Sequence, residues 1–103
     1  MPTPQPITLT ANGRALLGGS SGAMAFYLHI RAASTLGGGT LSVQYATVDN
    51  PSLTNNAHWE SLEGLAALTP GQSRPIRWPG TLALAIAGAT SPNVVADVIR
   101  DRA

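Results

Sequence analysis

The sequence of 103 residues contains no cysteine and no lysine, and its aromatic residues are one Phe, two Tyr and two Trp. Without cysteine there are no disulfide bonds and no thiolate chemistry, and the redox compartment is undetermined. The six basic residues are all arginines scattered along the chain. Because nucleic-acid binding requires a basic face, we expect no nucleic-acid partner.

Charged residues are scarce, at 11% of the chain against roughly 25% in an average soluble domain. A surface largely covered by partners would have this composition, since the cores of protein interfaces are depleted in charge. A GC-rich genome is the alternative, because it favours arginine over lysine. It explains the shortage of acidic residues less well.

Residues for catalysis or metal binding are also few. A zinc site needs three or four ligands, so it would have to combine His29 and His58 with Asp49 or Glu60; two surface histidines are the favoured interpretation. The glycine–serine run GGSSGA (18–23) lacks the strand–turn–helix setting that a G-x-S-x-G nucleophile elbow requires, and the glycine runs do not follow the phosphate-binding pattern. The sequence therefore predicts a protein that is not an enzyme and that has no metal and no cofactor.

The N-terminus MPTPQPITLT has neither the basic nor the apolar region of a secretion signal. The longest weakly polar run, GTLALAIAGA, is far shorter than the ~20 residues of a membrane helix. These features predict a soluble chain made in the cytoplasm, with no membrane partner.

Short segments of alternating polarity, separated by Gly, Pro and Asn, extend through the chain. They are ITLTA (7–11), RALL (14–17), AFYLHIRA (25–32), TLSVQYAT (40–47), HWESL (58–62), SRPIRWPG (73–80), TLALAIAG (81–88) and the segment from residue 91 onward. Asn12-Gly13 predicts a hairpin between the first two, and Pro75 and Pro79 predict an edge or irregular strand. The pattern indicates an all-β, antiparallel β-sandwich, jelly-roll-like or immunoglobulin-like. A small barrel is the alternative.

Three prolines, Pro2, Pro4 and Pro6, lie in the first six residues. Proline lacks an amide donor and biases the preceding residue toward extended backbone. The sequence therefore predicts an extended arm over residues 1–6, followed by a single sandwich domain over residues 7–103.

The loop DNPSLTNNAH (49–58) is long for a hairpin connection and has Asp49 as its one carboxylate. We expect it to contact a neighbouring subunit. Its candidate interaction residues are Asp49, Asn50, Leu53, Asn55, Asn56 and His58, and Pro2, Pro4, Pro6 and Trp78 are further candidates.

Trp59 and Trp78 allow two interpretations. Exposed, they could stack against sugars. Because tryptophan usually buries most of its area, the favoured interpretation makes Trp59 a core residue or hairpin anchor and packs Trp78 beneath its proline-flanked edge. The small face of TLALAIAG, with Ala83 and Ala85, suits packing against another sheet or subunit.

The segment from Gly37 to Val98 resembles a widespread type of tailed-bacteriophage structural protein. Those proteins have a strand of the form tLsvqys.D, a W..l segment, a threonine turn and a strand like LrLavsGat.p.v.v.v. The matching residues here are Leu41, Val43, Gln44, Tyr45, Asp49, Trp59, Leu62, Thr69, Leu82, Leu84, Gly88, Ala89, Thr90 and Val94 to Val98.

The resemblance implies a small virion protein with a jelly-roll-like or immunoglobulin-like sandwich. We expect a capsid decoration or cement protein that stabilises the head surface, located in the virion. Its partners would be the major capsid protein or other virion proteins, and it would self-associate as a dimer or trimer. The proline-rich arm fits a contact across a neighbouring subunit better than a fibre shaft. The alternative is a tail- or fibre-associated module that recognises a host surface glycan.

Overall fold

The computed structural model describes residues 5–18, 24–78 and 80–100, and this part of the chain is built from strands with one short 3₁₀ turn. The strands are β1 (Gln5–Leu9), β2 (Gly13–Gly18), β3 (Met24–Ile30), β4 (Thr40–Ala46), β5 (Trp59–Ser61), β6 (Ser73–Trp78), β7 (Leu82–Ala87) and β8 (Val94–Arg100). The 3₁₀ turn covers Asn56–His58.

The strands form two four-stranded antiparallel sheets, with the orders β1-β8-β3-β6 and β2-β7-β4-β5. Strand β1 pairs with β8, β2 with β7, β3 with β6 and β4 with β5. This nesting of first with last strands is the topology of an eight-stranded jelly roll. The predicted β-sandwich is confirmed, and of the two sandwich types the strand order matches the jelly roll.

The core lies between the two sheets because alternate residues of each strand point inward. On β4 and β7, for example, Leu41, Val43, Leu82 and Leu84 have no exposed surface. Removing an aliphatic side chain of this size from water stabilises the fold by about 1.5–3 kcal/mol. Sandwich burial of this kind is what the period of two in the sequence predicts.

The predicted hairpin at Asn12-Gly13 is wrong. Strands β1 and β2 lie in different sheets, so the chain crosses between the sheets at this point. The Asn12 side chain accepts a hydrogen bond from the Ala89 backbone N–H (2.8 Å) and donates one to the Ala89 carbonyl (3.0 Å). The local turn signal is outweighed because the long-range pairing of β1 with β8 and of β2 with β7 places the two strands in different sheets.

Strand β1 begins at Gln5, so two residues of the predicted arm belong to the sandwich. Pro6 lies opposite Asp97 on this edge strand, where a residue without an amide donor is tolerated. Pro2 and Pro4 lie outside the described residues. At the opposite edge of the same sheet is β6, which contains Pro75 as predicted.

The glycine run before β4 forms a tight corner against residues 87–90. Gly37 and Gly38 both have positive φ, +56° and +83°. A Cβ on Gly37 would overlap the backbone of Thr90, whereas a Cβ on Gly38 would meet open space. The corner is therefore fixed by close backbone packing at Gly37.

Candidate functional site

The outer face of the β2-β7-β4-β5 sheet holds the most developed cluster of polar side chains outside the core. Strand register places two rows of residues across this face: Arg14, Ala85 and Ser42, and next to them Leu16, Ala83, Gln44 and Ser61. The 49–58 loop connects β4 to β5 and folds back onto the same face through contacts with Arg14. Sheet and loop together form the candidate site.

Arg14 is the centre of this cluster. Its Nε donates to Gln44 Oε1 at 2.6 Å, Nη1 to the Leu53 carbonyl at 2.9 Å and Nη2 to Asn56 Oδ1 at 2.8 Å. The side chain reaches from β2 to β4 across the intervening strand β7, where the residue opposite Arg14 is Ala85. A small residue there leaves room for the arginine, so the alanines of β7 allow Arg14 to fasten the loop to the sheet.

The alanine face is largely covered by the chain itself. Ala83 is fully buried and Ala85 is 5% exposed, although both point away from the core between the sheets. Of the three outward alanines of β7, Ala87 is the exposed one. The chain itself therefore covers Ala83 and Ala85, and Ala87 is the alanine of this face that is exposed to a neighbouring subunit.

Trp59 anchors the loop from beneath. Its register partner is Ala46, which places Trp59 on the outer face of the sheet, yet it is only 5% exposed. Its Nε1 donates to the Ser52 carbonyl at 2.8 Å, and the Arg14 guanidinium lies 5.8 Å from the ring centroid, within the range of a cation–π contact. The predicted burial and hairpin-anchor role are confirmed, but Trp59 does not belong to the core between the sheets.

The loop is also ordered by its own hydrogen bonds. Asn55 Oδ1 accepts from the Ala57 backbone N–H at 3.0 Å and so caps the 3₁₀ turn. His58 Nδ1 accepts from the Ser52 backbone N–H at 3.0 Å, and the His58 carbonyl accepts from the Thr47 N–H at 2.8 Å. Asn55 and His58 thus shape the loop.

The remaining candidate residues of the loop point outward or toward Arg14. Asp49 and Asn50 are exposed, and Asn50 has the left-handed φ of +51°. Leu53 is 37% exposed while its carbonyl is bound by Arg14. Asn56 directs its side-chain oxygen to Arg14. The loop therefore presents an apolar side chain to solvent from a backbone that is held in place.

Between the loop and the sheet lies an open groove of about 830 Å³. This volume is within the ~300–1,000 Å³ of ligand sites. The lining residues that bear on its chemistry are Asn12, Arg14, Ser42, Gln44, Leu53 and Asn56. Arg14 is the charged member of the lining, and within the described residues no carboxylate pairs with it.

Trp78 lies apart from this site. It is half-buried on β6, in the other sheet, and packs against the core with Tyr45. The two ring centroids are 4.8 Å apart at an interplanar angle of 42°. Trp78 thus closes one end of the sandwich and does not join the loop residues.

The outer face of the other sheet brings a serine, a histidine and an aspartate into one row. His29 lies opposite both Ser73 and Asp97 in the register, and His29 Nδ1 is 2.7 Å from Ser73 Oγ. Both Asp97 oxygens, however, accept from Arg31, at 2.8 and 2.9 Å. Asp97 is thus bound by Arg31 and His29 by Ser73, which differs from a catalytic triad, where the aspartate orients the histidine.

The Arg31–Asp97 pair also shifts both ionisation equilibria. The hydrogen bonds from Arg31 lower the pKa of the Asp97 carboxyl against the opposing effect of its burial. The same hydrogen bonds raise the pKa of Arg31. The pair fixes the charge of Asp97 and ties the segment after β3 to β8.

Residues 5–18, 24–78 and 80–100 contain no cluster of three or more His, Asp or Glu side chains arranged to hold a metal ion. They also contain no helix with the length and apolarity needed to cross a bilayer.

Comparison with known proteins gives no relative: no family model matches the chain, and neither a curated protein nor a solved structure matches it significantly. The resemblance to phage virion proteins remains a prediction based on the residues named above.

Sequence reasoning identified the loop but missed the residues that hold it. Arg14 and Gln44 are 30 positions apart, and Arg14 and Asn56 are 42 apart. The available signal was the outward position of Gln44 on an alternating strand. Nothing local indicated that Arg14 would lie on the same face.

Proposed function

We propose that this protein is a structural component of a tailed-bacteriophage particle, a capsid decoration or cement protein that binds the head surface through its 49–58 loop. The proposal combines the resemblance in the residues from Gly37 to Val98 with the geometry of the loop. It assigns to the protein a binding role on the virion, with the major capsid protein or another virion protein as partner.

The architecture is compatible with this role. Jelly rolls occur in viral capsid domains, and also in lectins and cupins. Because one fold supports many functions, the fold only reduces the number of candidate functions, and the assignment of one function has to rest on the site.

The observation that carries the proposal is a rigid loop with an exposed apolar tip. Leu53 is 37% exposed, and Val48, the residue just before the loop, is 42% exposed. Arg14, Trp59 and His58 hold the loop backbone. A loop that is already ordered loses little conformational entropy on binding. Exposed apolar side chains of this kind suit the centre of a protein interface, where charged residues are depleted.

Co-sedimentation with purified phage heads assembled without this chain tests the proposal. Leu53→Asp replaces the apolar side chain at the loop tip by a charge and should abolish co-sedimentation, because the partner would lose its apolar contact and would have to cover a charge that is now solvated. Tyr27→Asp is the matched control, since Tyr27 is 53% exposed on the other sheet. Equal binding by the two variants, or loss by Tyr27→Asp alone, would contradict the assigned surface.

The glycan-binding alternative has less support at the tryptophans. Trp59 is buried under the loop, and Trp78 packs against the core. A sugar platform on Trp59 would require the loop to detach.

Self-association as a dimer or trimer and an arm contact belong to the same proposal. Removing residues 1–4 leaves all of β1 in place, so it isolates the effect of the arm from that of the sandwich. We expect the truncated protein to bind heads more weakly, and unchanged occupancy would remove the arm from the proposal. Light scattering on the free protein measures the oligomer.

A further inference from the structure

The groove beneath the loop contains a cation without a carboxylate partner. Arg14 uses one donor on each of its three nitrogens to hold Gln44, Leu53 and Asn56. A guanidinium has five N–H donors, so two remain. All three acceptors are neutral, and no carboxylate lies within salt-bridge distance in the described part of the chain.

This arginine is also fixed in position. Three hydrogen bonds of 2.6 to 2.9 Å and the ring of Trp59 hold the guanidinium in one orientation. An oriented guanidinium with one spare N–H on each terminal nitrogen can donate charge-assisted hydrogen bonds to a carboxylate. Because the side chain is already ordered, binding such a group requires little further loss of entropy.

We propose that the groove is a binding site for an acidic segment of a protein partner, whose aspartate or glutamate carboxylate pairs with Arg14. The inference rests on the proposed function for the partner's identity as a virion protein. The inference adds that a carboxylate of this partner is recognised by Arg14 on the outer face of the β2-β7-β4-β5 sheet.

The rest of the lining favours a peptide over a sugar acid. The exposed Ala87 contributes to an apolar floor and Leu53 forms an apolar wall, which suit the aliphatic side chains on either side of an acidic residue. Gln44 adds a side-chain amide for the peptide backbone. No aromatic side chain lines this groove in the described residues, although aromatic faces are what a sugar ring would stack against.

Gln44→Glu provides a sharp test because it supplies an internal carboxylate at the atom that now accepts from Arg14 Nε. The substitution keeps the shape of the side chain and the hydrogen bond, so the loop stays attached, while the charge of Arg14 is neutralised. Gln5→Glu is the matched control, an identical substitution on the exposed edge strand β1 of the other sheet.

The assay is NMR titration with a blocked pentapeptide that has glutamate at its centre, followed at the Arg14 Nε–H and the Gln44 or Gln5 side-chain signals. We expect a saturable shift of the Arg14 signal in the wild type. The same peptide with central glutamine should bind at least about tenfold more weakly, a difference of about 1.4 kcal/mol. Gln44→Glu should lose binding by a similar factor, and Gln5→Glu should retain it.

Three results would overturn the inference: equal binding of the two peptides, no shift of the Arg14 signal, or wild-type affinity in Gln44→Glu. A shift with a glucuronic-acid disaccharide but not with the peptide would replace the protein partner with an acidic sugar. The titration uses no phage heads, so it fails or succeeds independently of co-sedimentation. Head binding without peptide binding would support the proposed function and refute the acidic-peptide site. Peptide binding without head binding would support the site and refute the proposed function.

Discussion

Replacing Arg14 with methionine should release the 49–58 loop from the sheet. Arg14→Met keeps an unbranched side chain to cover Ala85 but removes three hydrogen bonds. A single hydrogen bond contributes about 0.5–1.5 kcal/mol net, so their loss should lower the free energy of unfolding by about 2–4 kcal/mol. That is a large share of the ~5–15 kcal/mol of an ordinary domain.

Two measurements check this prediction. Urea unfolding followed by circular dichroism gives the free energy of unfolding. Hydrogen exchange reports the loop directly, because the Ala57 N–H is protected by the cap at Asn55 and should exchange faster when the loop opens. The prediction for the variant is a lower urea midpoint together with faster exchange confined to residues 49–58.

Arg77→Met is the control, since Arg77 is an exposed arginine on the edge strand β6. Its substitution should change the free energy of unfolding by no more than about 0.5 kcal/mol, as for most surface positions. Matching midpoints for the two variants, with unchanged loop exchange, would refute the role of Arg14 as the fastening residue.

Three other predictions concern the sandwich. Leu84→Ala should lower the free energy of unfolding by about 2–5 kcal/mol in urea, because Leu84 is fully buried and its loss leaves a cavity. Arg31 lowers the pKa of Asp97, so the ionised carboxylate stabilises the fold above its unfolded pKa of about 3.9, and this contribution is lost as pH falls through the folded pKa. Below about pH 4 the urea midpoint should therefore fall more steeply in wild type than in Asp97→Asn. Parallel curves for the two proteins would refute the coupling. Gly37→Ala should lower the melting temperature more than Gly38→Ala, because a Cβ at Gly37 overlaps neighbouring backbone; the reverse order would contradict the packed corner.

The sandwich could be predicted from sequence because its core depends on strict alternation. Phe26, Leu28 and Ile30 are predicted on one face of their strand, and all three are buried. Such a period of two survives in any sheet that has one face in a core. The edge position of β6 followed equally directly from Pro75.

Strand partners and the site could not be predicted in this way. Asn12-Gly13 is a local hairpin signal, yet the crossing between sheets depends on pairing with strands more than 60 residues away. The burial of Trp59 was predictable from its size, but the segment that buries it, a loop on the outer face of the sheet, was not. The position of this loop depends on Arg14, whose hydrogen-bond partners are distant in sequence.

The loop face is the central claim, and hydrogen exchange on the head-bound protein tests it most directly. Compared with the free protein, binding should slow exchange at residues 49–58 and at the groove strands β2 and β4, with no change at the edge strand β6. Protection of β6 with unchanged exchange in the 49–58 loop would contradict the assignment of this face to the virion interface.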